Sequence, residues 1–223
     1  MNAFIFDSET TGLTDPQLVE AAWLKLSSIQ GLEVACDFLQ RYKPGKPIEL
    51  GALATSHILD EELVDCAPHT DFQLPPELEY LIGHNVDYDW GVVGKPDVKR
   101  ICTKALSSRL WPDADSHSQS AMIYLHYRDQ APGLLRNAHA ALDDVKNCRL
   151  LLIKILEALA AELGRPVADW EELWTISEDA RIPTVIGFGK HRGAKFSDLP
   201  ADYRRWLLNQ PDLDLFVRKA LMR

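Results

Sequence analysis

Four acidic side chains and one histidine are the residues of this sequence best suited to chemistry. Asp7 and Glu9 are two residues apart at the end of a short apolar run, 3–6, with aromatic and β-branched members. If the backbone stays extended, both carboxylates point to the same side of a sheet. Paired acids at the end of a buried strand lower stability unless a positive charge lies between them, and their hard oxygens suit Mg²⁺ or Mn²⁺. A solvated loop after the strand is the alternative.

The third acid, Asp144, lies on a long helix predicted over 140–163. Asp144 falls inside an apolar arc about 140° wide on the helical wheel, whereas Asp143 lies on the outer side beside Lys154 and Asn147. An acid on a buried face needs a partner or a metal, so Asp144 is a further candidate metal ligand. The apolar positions of the arc are Ala141, Val145, Cys148, Leu151, Leu152, Ile155, Leu156, Leu159 and Leu163.

A histidine and a fourth acid complete the set. His139 precedes the long helix, and we place it on the lead-in loop, where an imidazole is a suitable general base at neutral pH. A cap or surface role is the alternative for His139. Asp89 follows the apolar run 80–83 and the turn that contains Asn85, which could hold the turn through its side chain.

The elements that must position these residues indicate an α/β layered domain. Apolar or β-branched runs predict strands over 3–6, 80–83 and 100–103, and a hairpin is predicted from two further strands around residues 30–31. Helical patterns occur in the same chain, and strands mixed with helices are typical of this class. The hairpin strands are 18–29 and 33–42, and the helices are 104–111, 119–127, 140–163 and 167–179.

Composition and charge limit the class of protein. Of 223 residues, 46% are hydrophobic and 26% charged, which excludes a largely disordered chain. No apolar run is long enough for an ordinary membrane helix, and the first residues lack the basic start of a signal peptide, so we expect a cytoplasmic protein. The net charge of −9 hides a basic end, because residues 181–223 hold nine Lys or Arg and four Asp. Such an end suits a polyanion, although a solvated surface explains it equally well.

Three segments, in order, resemble the motifs of the DnaQ-like DEDDh 3′-to-5′ exonucleases. Residues 7–13 read Asp-Ser-Glu-Thr-Thr-Gly-Leu, and residues 84–89 read His-Asn-Val-Asp-Tyr-Asp, with Val and Tyr where the family usually has Ala and Phe. Residues 139–144, His-Ala-Ala-Leu-Asp-Asp, resemble the third motif of the subclass with a histidine base. Residues 187–193 and 199–207 resemble the small C-terminal module of the exonuclease X-like branch.

This resemblance implies a ribonuclease H-like α/β fold, a mixed sheet flanked by helices, followed by a small basic module. It implies a two-metal mechanism with two Mg²⁺, for which Mn²⁺ would substitute. Asp7, Glu9 and Asp144 would hold the first ion, Asp7 and Asp89 the second, and His139 would be the general base. The implied reaction releases 5′-mononucleotides from DNA 3′ ends, with single strands preferred.

The resemblance also implies contacts with the nucleic acid strand. Phosphate contacts are expected from basic residues of the C-terminal module, and the site is not expected to read base edges. In relatives, the positions that match Thr10, Thr11, Leu13 and His57 lie near the terminal nucleotide. The match at His57 is incomplete, because Ile58 stands where the family usually has Gly. The expected substrate contacts are Thr10, Thr11, Leu13, His57, His84, Asn85, Lys190 and Arg192.

The expected organisation is a DEDDh exonuclease domain over 1–164, a helical linker over 165–180 and a small basic module over 181–223, which contacts nucleic acid or only packs. Local sequence leaves a 3′-to-5′ exoribonuclease as the alternative enzyme. A non-catalytic, polymerase-associated binding module is the alternative from another class, and the buried Asp144 argues against it. A homodimer is possible, and no membrane partner is expected.

Overall fold

A mixed five-stranded sheet is the centre of the computed structural model, which describes residues 2–223. The strands are β1 (Ala3–Thr10), β2 (Leu18–Leu26), β3 (Val34–Arg41), β4 (Tyr80–Gly83) and β5 (Lys99–Cys102). Their order across the sheet is β3-β2-β1-β4-β5. The pairs β1–β2 and β2–β3 are antiparallel, while β1–β4 and β4–β5 are parallel. The predicted hairpin and the α/β class are thereby confirmed.

The central strand β1 extends further than the apolar run from which it was predicted. Its first residues are buried on both faces, as expected of a strand covered by helices. Pairing with β2 continues through Glu9↔Glu20 and Thr10↔Leu18, with a register shift between Glu9 and Thr10. The partner strand therefore keeps the polar end of β1 extended, which the apolar run alone did not predict.

Helices and three short 3-10 turns connect and cover the strands. Among residues 2–223, none of the helices combines the length and apolar character that a membrane crossing requires. The 3-10 turns are Asp60–Leu63, His69–Asp71 and Phe196–Asp198. The helices are α1 (Leu50–Ser56), α2 (Asp87–Val92), α3 (Thr103–Leu110), α4 (Gln119–His126), α5 (Ala131–Leu134), α6 (Ala141–Leu163), α7 (Trp170–Ala180), α8 (Ala201–Leu208) and α9 (Leu215–Met222).

The long helix α6 packs on the sheet, against β1 and β2, and also contacts α3 and α4. It ends at Gly164, whose left-handed φ of 70° is the usual helix stop. Leu163 was predicted to be on the packed face but is 40% exposed. The periodicity gives the direction of a side chain, but it does not show whether a neighbouring element is present there.

Asn147 is a second correction on α6. Its predicted place on the outer side is wrong, because the side chain is buried and its amide donates to the carbonyl of Leu134 (3.2 Å). Leu134 ends the short helix α5, which the sequence did not predict. This side of α6 is thus covered by a neighbour that the helical wheel does not include.

The helix predicted over 167–179, within the expected helical linker 165–180, is α7 (Trp170–Ala180). Trp170, Leu173 and Ser177 are buried, and the Ser177 hydroxyl accepts the N–H of Cys102 at the end of β5 (2.8 Å). The Tyr80 hydroxyl donates to Glu171 (2.6 Å). The chain divides into two compact units between Ser177 and Glu178, so most of α7 belongs to the first. Burying its apolar side makes α7 part of that domain rather than a spacer.

The second unit, Glu178–Arg223, has a small core of its own. An isolated bridge pairs Val185 with Lys195, and the segment between them forms a tight loop. Helices α8 and α9 contact each other, and α9 begins at Asp214, whose carboxylate caps two backbone N–H groups. The buried core residues are Ile186, Phe196, Leu199, Leu207, Ala220 and Leu221.

Candidate active site

The end of β1 presents two acids on one face. Asp7 and Glu9 are half-buried, while Ser8 and Thr10 between and after them are buried. This alternation follows from the two-residue repeat of a strand. The two carboxylates therefore share one side of the sheet, as the sequence predicts.

Asp89 joins them because β4 runs parallel to β1. Ile5 lies opposite Ile82, so both strands end at the same edge of the sheet. α2 follows β4, and the buried Asp89 lies in its first turn. One oxygen of Asp89, Oδ1, accepts both the N–H (3.1 Å) and the hydroxyl (2.6 Å) of Ser8. These two bonds hold the carboxylate against β1, beside Asp7 and Glu9.

The start of α6 brings the fourth acid and the histidine. Asp144 is half-buried in the first turn, and its Oδ2 accepts the backbone N–H of His139 (3.0 Å). The side-chain amide of Gln119 donates to the carbonyl (3.1 Å) and to Oδ1 (3.3 Å) of Asp144. His139 has a left-handed φ of 70° and is exposed on the lead-in loop. The loop conformation therefore places the imidazole next to the acid.

Three of the predicted residues meet within one small volume. One ligand atom each from Glu9, His139 and Asp144 lies within 4.8 Å of the others. Glu9 belongs to β1 and the other two to the start of α6, so this group forms only in the folded chain. Asp7 and Asp89 are close enough to this group for their charges to act on it.

Burial raises the pKa of all four carboxyl groups, and the charge of at least one neighbouring acid adds to it at each. Burial is the largest cause at each, and it raises the pKa of Glu9 to about 8 with help from the charge of Asp144. The pKa of Asp89 rises to about 7 despite the two hydrogen bonds from Ser8. The pKa of Asp7 lies well above its usual range, because Asp89, Asp144 and Glu9 add to burial, and that of Asp144 is also raised.

This electrostatic state fits a divalent cation. All the charged groups that raise the pKa of Asp7 and Glu9 are carboxylates, so the ionised cluster needs a positive charge from elsewhere. Carboxylate oxygens are the donors that Mg²⁺ and Mn²⁺ prefer. The residues present thus fit the metal ions that the sequence implies.

Metal binding is expected to stabilise the protein measurably. At about 100 times the dissociation constant, Mg²⁺ or Mn²⁺ should add about 2.7 kcal/mol to the free energy of unfolding, or about 5–10 °C in the melting temperature. Calorimetry with metal and with chelator measures the shift. Glu9→Gln should reduce it, while Asp65→Asn, at an exposed acid outside the cluster, should not. An undiminished shift in Glu9→Gln would contradict the assignment.

Glu20 is a residue of this region that the sequence analysis missed. It is 5% exposed on β2, and its carboxylate accepts the Arg41 Nε–H (2.9 Å) and the backbone N–H of Ala141 (3.1 Å). Ala140 at the N-cap of α6 has no side chain able to cap the helix, so Glu20 supplies this cap from a neighbouring strand. Its signal in the sequence is a single acid inside an apolar strand.

Removing this tertiary cap is expected to cost stability. Glu20→Ala should lower the free energy of unfolding by about 2 kcal/mol, because a buried N–H loses its charged acceptor. Glu20→Gln should lose less, since an amide oxygen can still accept from Ala141. Urea unfolding measures both. If Glu20→Ala loses no more stability than Glu20→Gln, the cap at Ala141 does not contribute.

The loop after β1 has one free apolar side chain. The Thr10 hydroxyl bonds to the hydroxyl of Tyr88 (2.6 Å) and to the carbonyl of Gly12 (3.1 Å), and the Thr11 hydroxyl accepts a backbone N–H of the same loop (3.1 Å). Both hydroxyl groups therefore shape the loop. Leu13, in contrast, is 83% exposed.

His84 is bound on both sides within the chain. Its Nδ1 bonds to the Thr103 hydroxyl (3.1 Å), and its Nε2 donates to the carbonyl of His117 (2.9 Å). Burial lowers the pKa of His84 to about 4, so the ring is neutral at pH 7. Neither ring nitrogen is free for a substrate in this arrangement, and His84 fixes the turn before α2. Asn85 is exposed in a left-handed conformation with φ of 70°.

The remaining predicted contacts lie outside the 4.8 Å group. His57 is exposed at the C-cap of α1, with φ of 58° and its backbone N–H bonded to the carbonyl of Leu53 (2.9 Å). Lys190 and Arg192 are exposed in the second unit. Their roles stay predictions.

Comparisons with solved structures find the same fold in exonucleases. Exonuclease X in complex with 5′ overhanging duplex DNA is 23% identical, and the match covers 78% of this chain and 99% of that chain with a TM-score of 0.56. The nuclease domain of 3′hExo, a DEDDh family member, bound to rAMP, is 14% identical over 70% of this chain and 92% of that chain, with a TM-score of 0.50.

Exonuclease I of E. coli in complex with a dT13 oligonucleotide is 18% identical. That match covers 73% of this chain but 42% of Exonuclease I, with a TM-score of 0.55. A scan of protein-family models and a search of curated proteins find no match to the chain. The chain thus has the ribonuclease H-like fold of the DEDDh exonucleases.

Proposed function

We propose that this chain is a metal-dependent 3′-to-5′ exonuclease that releases 5′-mononucleotides from DNA 3′ ends, with single strands preferred. The observation that carries the proposal is the convergence of four acids and one histidine at one sheet edge. Asp7 and Glu9 come from β1, Asp89 from α2, and His139 and Asp144 from the start of α6. The fold shared with solved exonucleases supports this chemistry but does not by itself establish it.

The four carboxylates would hold two divalent ions, Mg²⁺ or Mn²⁺. When bound, such ions neutralise the carboxylates and stabilise the charge of a phosphodiester undergoing in-line displacement. The chain contributes a rigid set of donors: Ser8 fixes Asp89, and Gln119 with the N–H of His139 fixes Asp144. Such supporting bonds keep ligands in one geometry and are part of the site.

His139 would take the proton of the attacking water. The imidazole lies beside Glu9 and Asp144 and is exposed, so its ring can reach a water that approaches a bound phosphodiester. The carboxylate of Asp144 accepts the backbone N–H of His139. This hydrogen bond is not required for the proton transfer. The proton then leaves through solvent, because the histidine is at the surface.

Leu13 would contact the terminal base. The exposed apolar side chain of Leu13 has no hydrogen-bonding group with which to read a base edge, so it would contact any base with little sequence preference. Thr10 and Thr11 would contribute through the loop they stabilise, and backbone groups of that loop would meet the sugar.

A 3′-to-5′ exoribonuclease is the second candidate. The observation in its favour is that the structure of 3′hExo, which shares the fold, holds rAMP. The 2′-hydroxyl distinguishes the two substrates, and it acts at the terminal ribose.

The test uses DNA and RNA strands of one sequence, labelled at the 5′ end, with Mg²⁺ or with chelator. The proposal expects a ladder that shortens from the 3′ end, faster on DNA, and no ladder with chelator. Faster shortening of RNA would select the second candidate. Internal cuts, or activity that survives chelation, would overturn both.

A further inference from the structure

We propose that the second unit carries its own binding surface for single-stranded nucleic acid, separate from the acidic cluster. This aromatic–basic surface combines side chains of the loop 187–195 with side chains of α8. The choice of a nucleic acid strand as the ligand rests on the proposed function. The surface comprises Phe188, Lys190, Arg192, Lys195, Arg205 and Trp206.

A row of three contacting rings supports the surface. The ring of Tyr203 lies 4.5 Å from that of His191 and 5.5 Å from that of Trp206, with the last pair nearly parallel at 26°. Tyr203 is half-buried, but Trp206 at the end of the row is 54% exposed. Trp206 therefore has a rigid neighbour on one side and solvent on the other, which is the arrangement of a stacking platform.

Trp206 is not one of the buried core residues of the second unit. The core of the second unit is built by Leu207, which is 2% exposed, together with residues such as Ile186 and Phe196. The exposed half of the indole is not needed for this core and is free to contact a ligand. Phe188 repeats the pattern, because it is 42% exposed on the adjoining loop.

The loop is held firmly against Tyr203. The N–H of Gly193 bonds to the carbonyl of Ile186 (2.8 Å), which closes the loop on itself. Gly189 has a left-handed φ of 65°, and a side chain there would come within 2.9 Å of the Tyr203 hydroxyl. Lys190 follows, with its ammonium 5.7 Å from the Tyr203 ring centre. The loop thus fixes the backbone that carries Lys190 and Arg192 next to the ring row.

The basic residues of this unit fall into two sets. One set donates hydrogen bonds to carboxylates or carbonyl groups of the same unit, so its N–H groups are already engaged. For the residues of the other set, no carboxylate within residues 178–223 lies at ion-pair distance. The bonded set is Arg181, Arg204, Arg218, Lys219 and Arg223. The other set is Lys190, Arg192, Lys195 and Arg205.

Both parts of the surface indicate the same ligand. Uncommitted cations meet phosphates, and exposed aromatic rings stack on unpaired bases, whose faces are available only in a single strand. A second, salt-sensitive contact of this kind would keep a strand attached while its 3′ end is processed.

The test measures binding of a 5′-labelled dT20 strand to the full chain by fluorescence anisotropy, with chelator present to prevent cleavage. Trp206→Ala should weaken binding about tenfold, while Trp206→Phe should largely retain it. Lys190→Ala with Arg192→Ala should lower the slope of log Kd against log salt by about 1.4. Arg223→Ala is the matched control: it removes one exposed charge that is already paired with Asp179, and should leave the slope unchanged.

The outcomes separate this inference from the proposed function. If the chain degrades strands but Trp206→Ala and the double variant bind dT20 like the wild type, this inference is overturned. If the chain degrades no strand while these variants still lose binding, the inference stands and the exonuclease proposal fails. Equal weakening on duplex DNA by Trp206→Ala would also overturn the stacking contact, because paired bases cannot stack on the indole.

Discussion

Replacing Asp144 by Asn is expected to reduce strand hydrolysis by at least about 10³-fold, because a lost metal ligand removes several kcal/mol of charge stabilisation at the phosphodiester. The amide keeps the size of the side chain and can still accept the N–H of His139. We therefore expect the fold to persist and the strand to remain bound. Single-turnover cleavage of a labelled strand with saturating Mg²⁺ measures the loss.

The neighbouring acid gives a matched control for this prediction. Asp143 lies one residue away in the same turn, but its carboxylate bonds to Asn137 (2.9 Å) and Lys146 (3.1 Å) rather than joining the cluster. Asp143→Asn makes the same chemical change and should keep activity within a fewfold of the wild type. Equal loss in both variants would mean that the substitution disturbs the start of α6 and says nothing about metal binding.

Stability gives Asp144→Asn a second readout that does not depend on activity. Without metal, the charge of Asp144 repels the neighbouring carboxylates and adds to burial in raising the pKa of Glu9 and Asp89. Removing one charge should therefore raise the free energy of unfolding in chelator at pH 8, and it should reduce the gain on adding Mg²⁺. Full activity together with an unchanged response to Mg²⁺ would refute the role of Asp144.

Replacing His139 is expected to slow the chemical step by about 10² or more, which is the usual contribution of a general base. Substrate binding should change little, because the backbone N–H that bonds to Asp144 remains in any variant. The measurement is the single-turnover rate at saturating strand, compared with the apparent affinity for the strand.

The backbone of His139 decides which variants are informative. At φ of 70° an alanine is strained, whereas asparagine adopts this conformation readily and cannot act as the base. His139→Asn is therefore the main variant, and His139→Ala shows the added cost of strain. If the rate of His139→Asn recovers at high Mg²⁺, the imidazole is a metal ligand, in keeping with its place near Glu9 and Asp144, and not the base. An unchanged rate would remove His139 from the chemistry altogether.

Local pattern was sufficient for much of the fold. The apolar runs at β1, β4 and β5 and the periodicity of α6 predicted these elements, because burial imposes a repeat on the chain that the residues must match. The same periodicity gave the wrong burial for Asn147 and Leu163, because a helical wheel does not include α5 or the ends of neighbouring elements. The pattern likewise predicted a helix at α7 but not that its apolar side is buried in the first unit.

The candidate site was also predicted only in part from the sequence. By itself, the sequence determined which residues are candidates for chemistry. The types and places of Asp7, Glu9 and Asp144 in apolar segments indicated a metal site, and the resemblance to the DEDDh motifs added the expected roles of Asp89 and His139. Only the tertiary structure decided which of the remaining polar residues support them. Glu20 caps α6 from another strand, and both nitrogens of His84 are already bonded, facts that depend on contacts between distant segments. A side chain's type is local, but its partner, and hence its protonation and freedom to act, is set by what the fold packs against it.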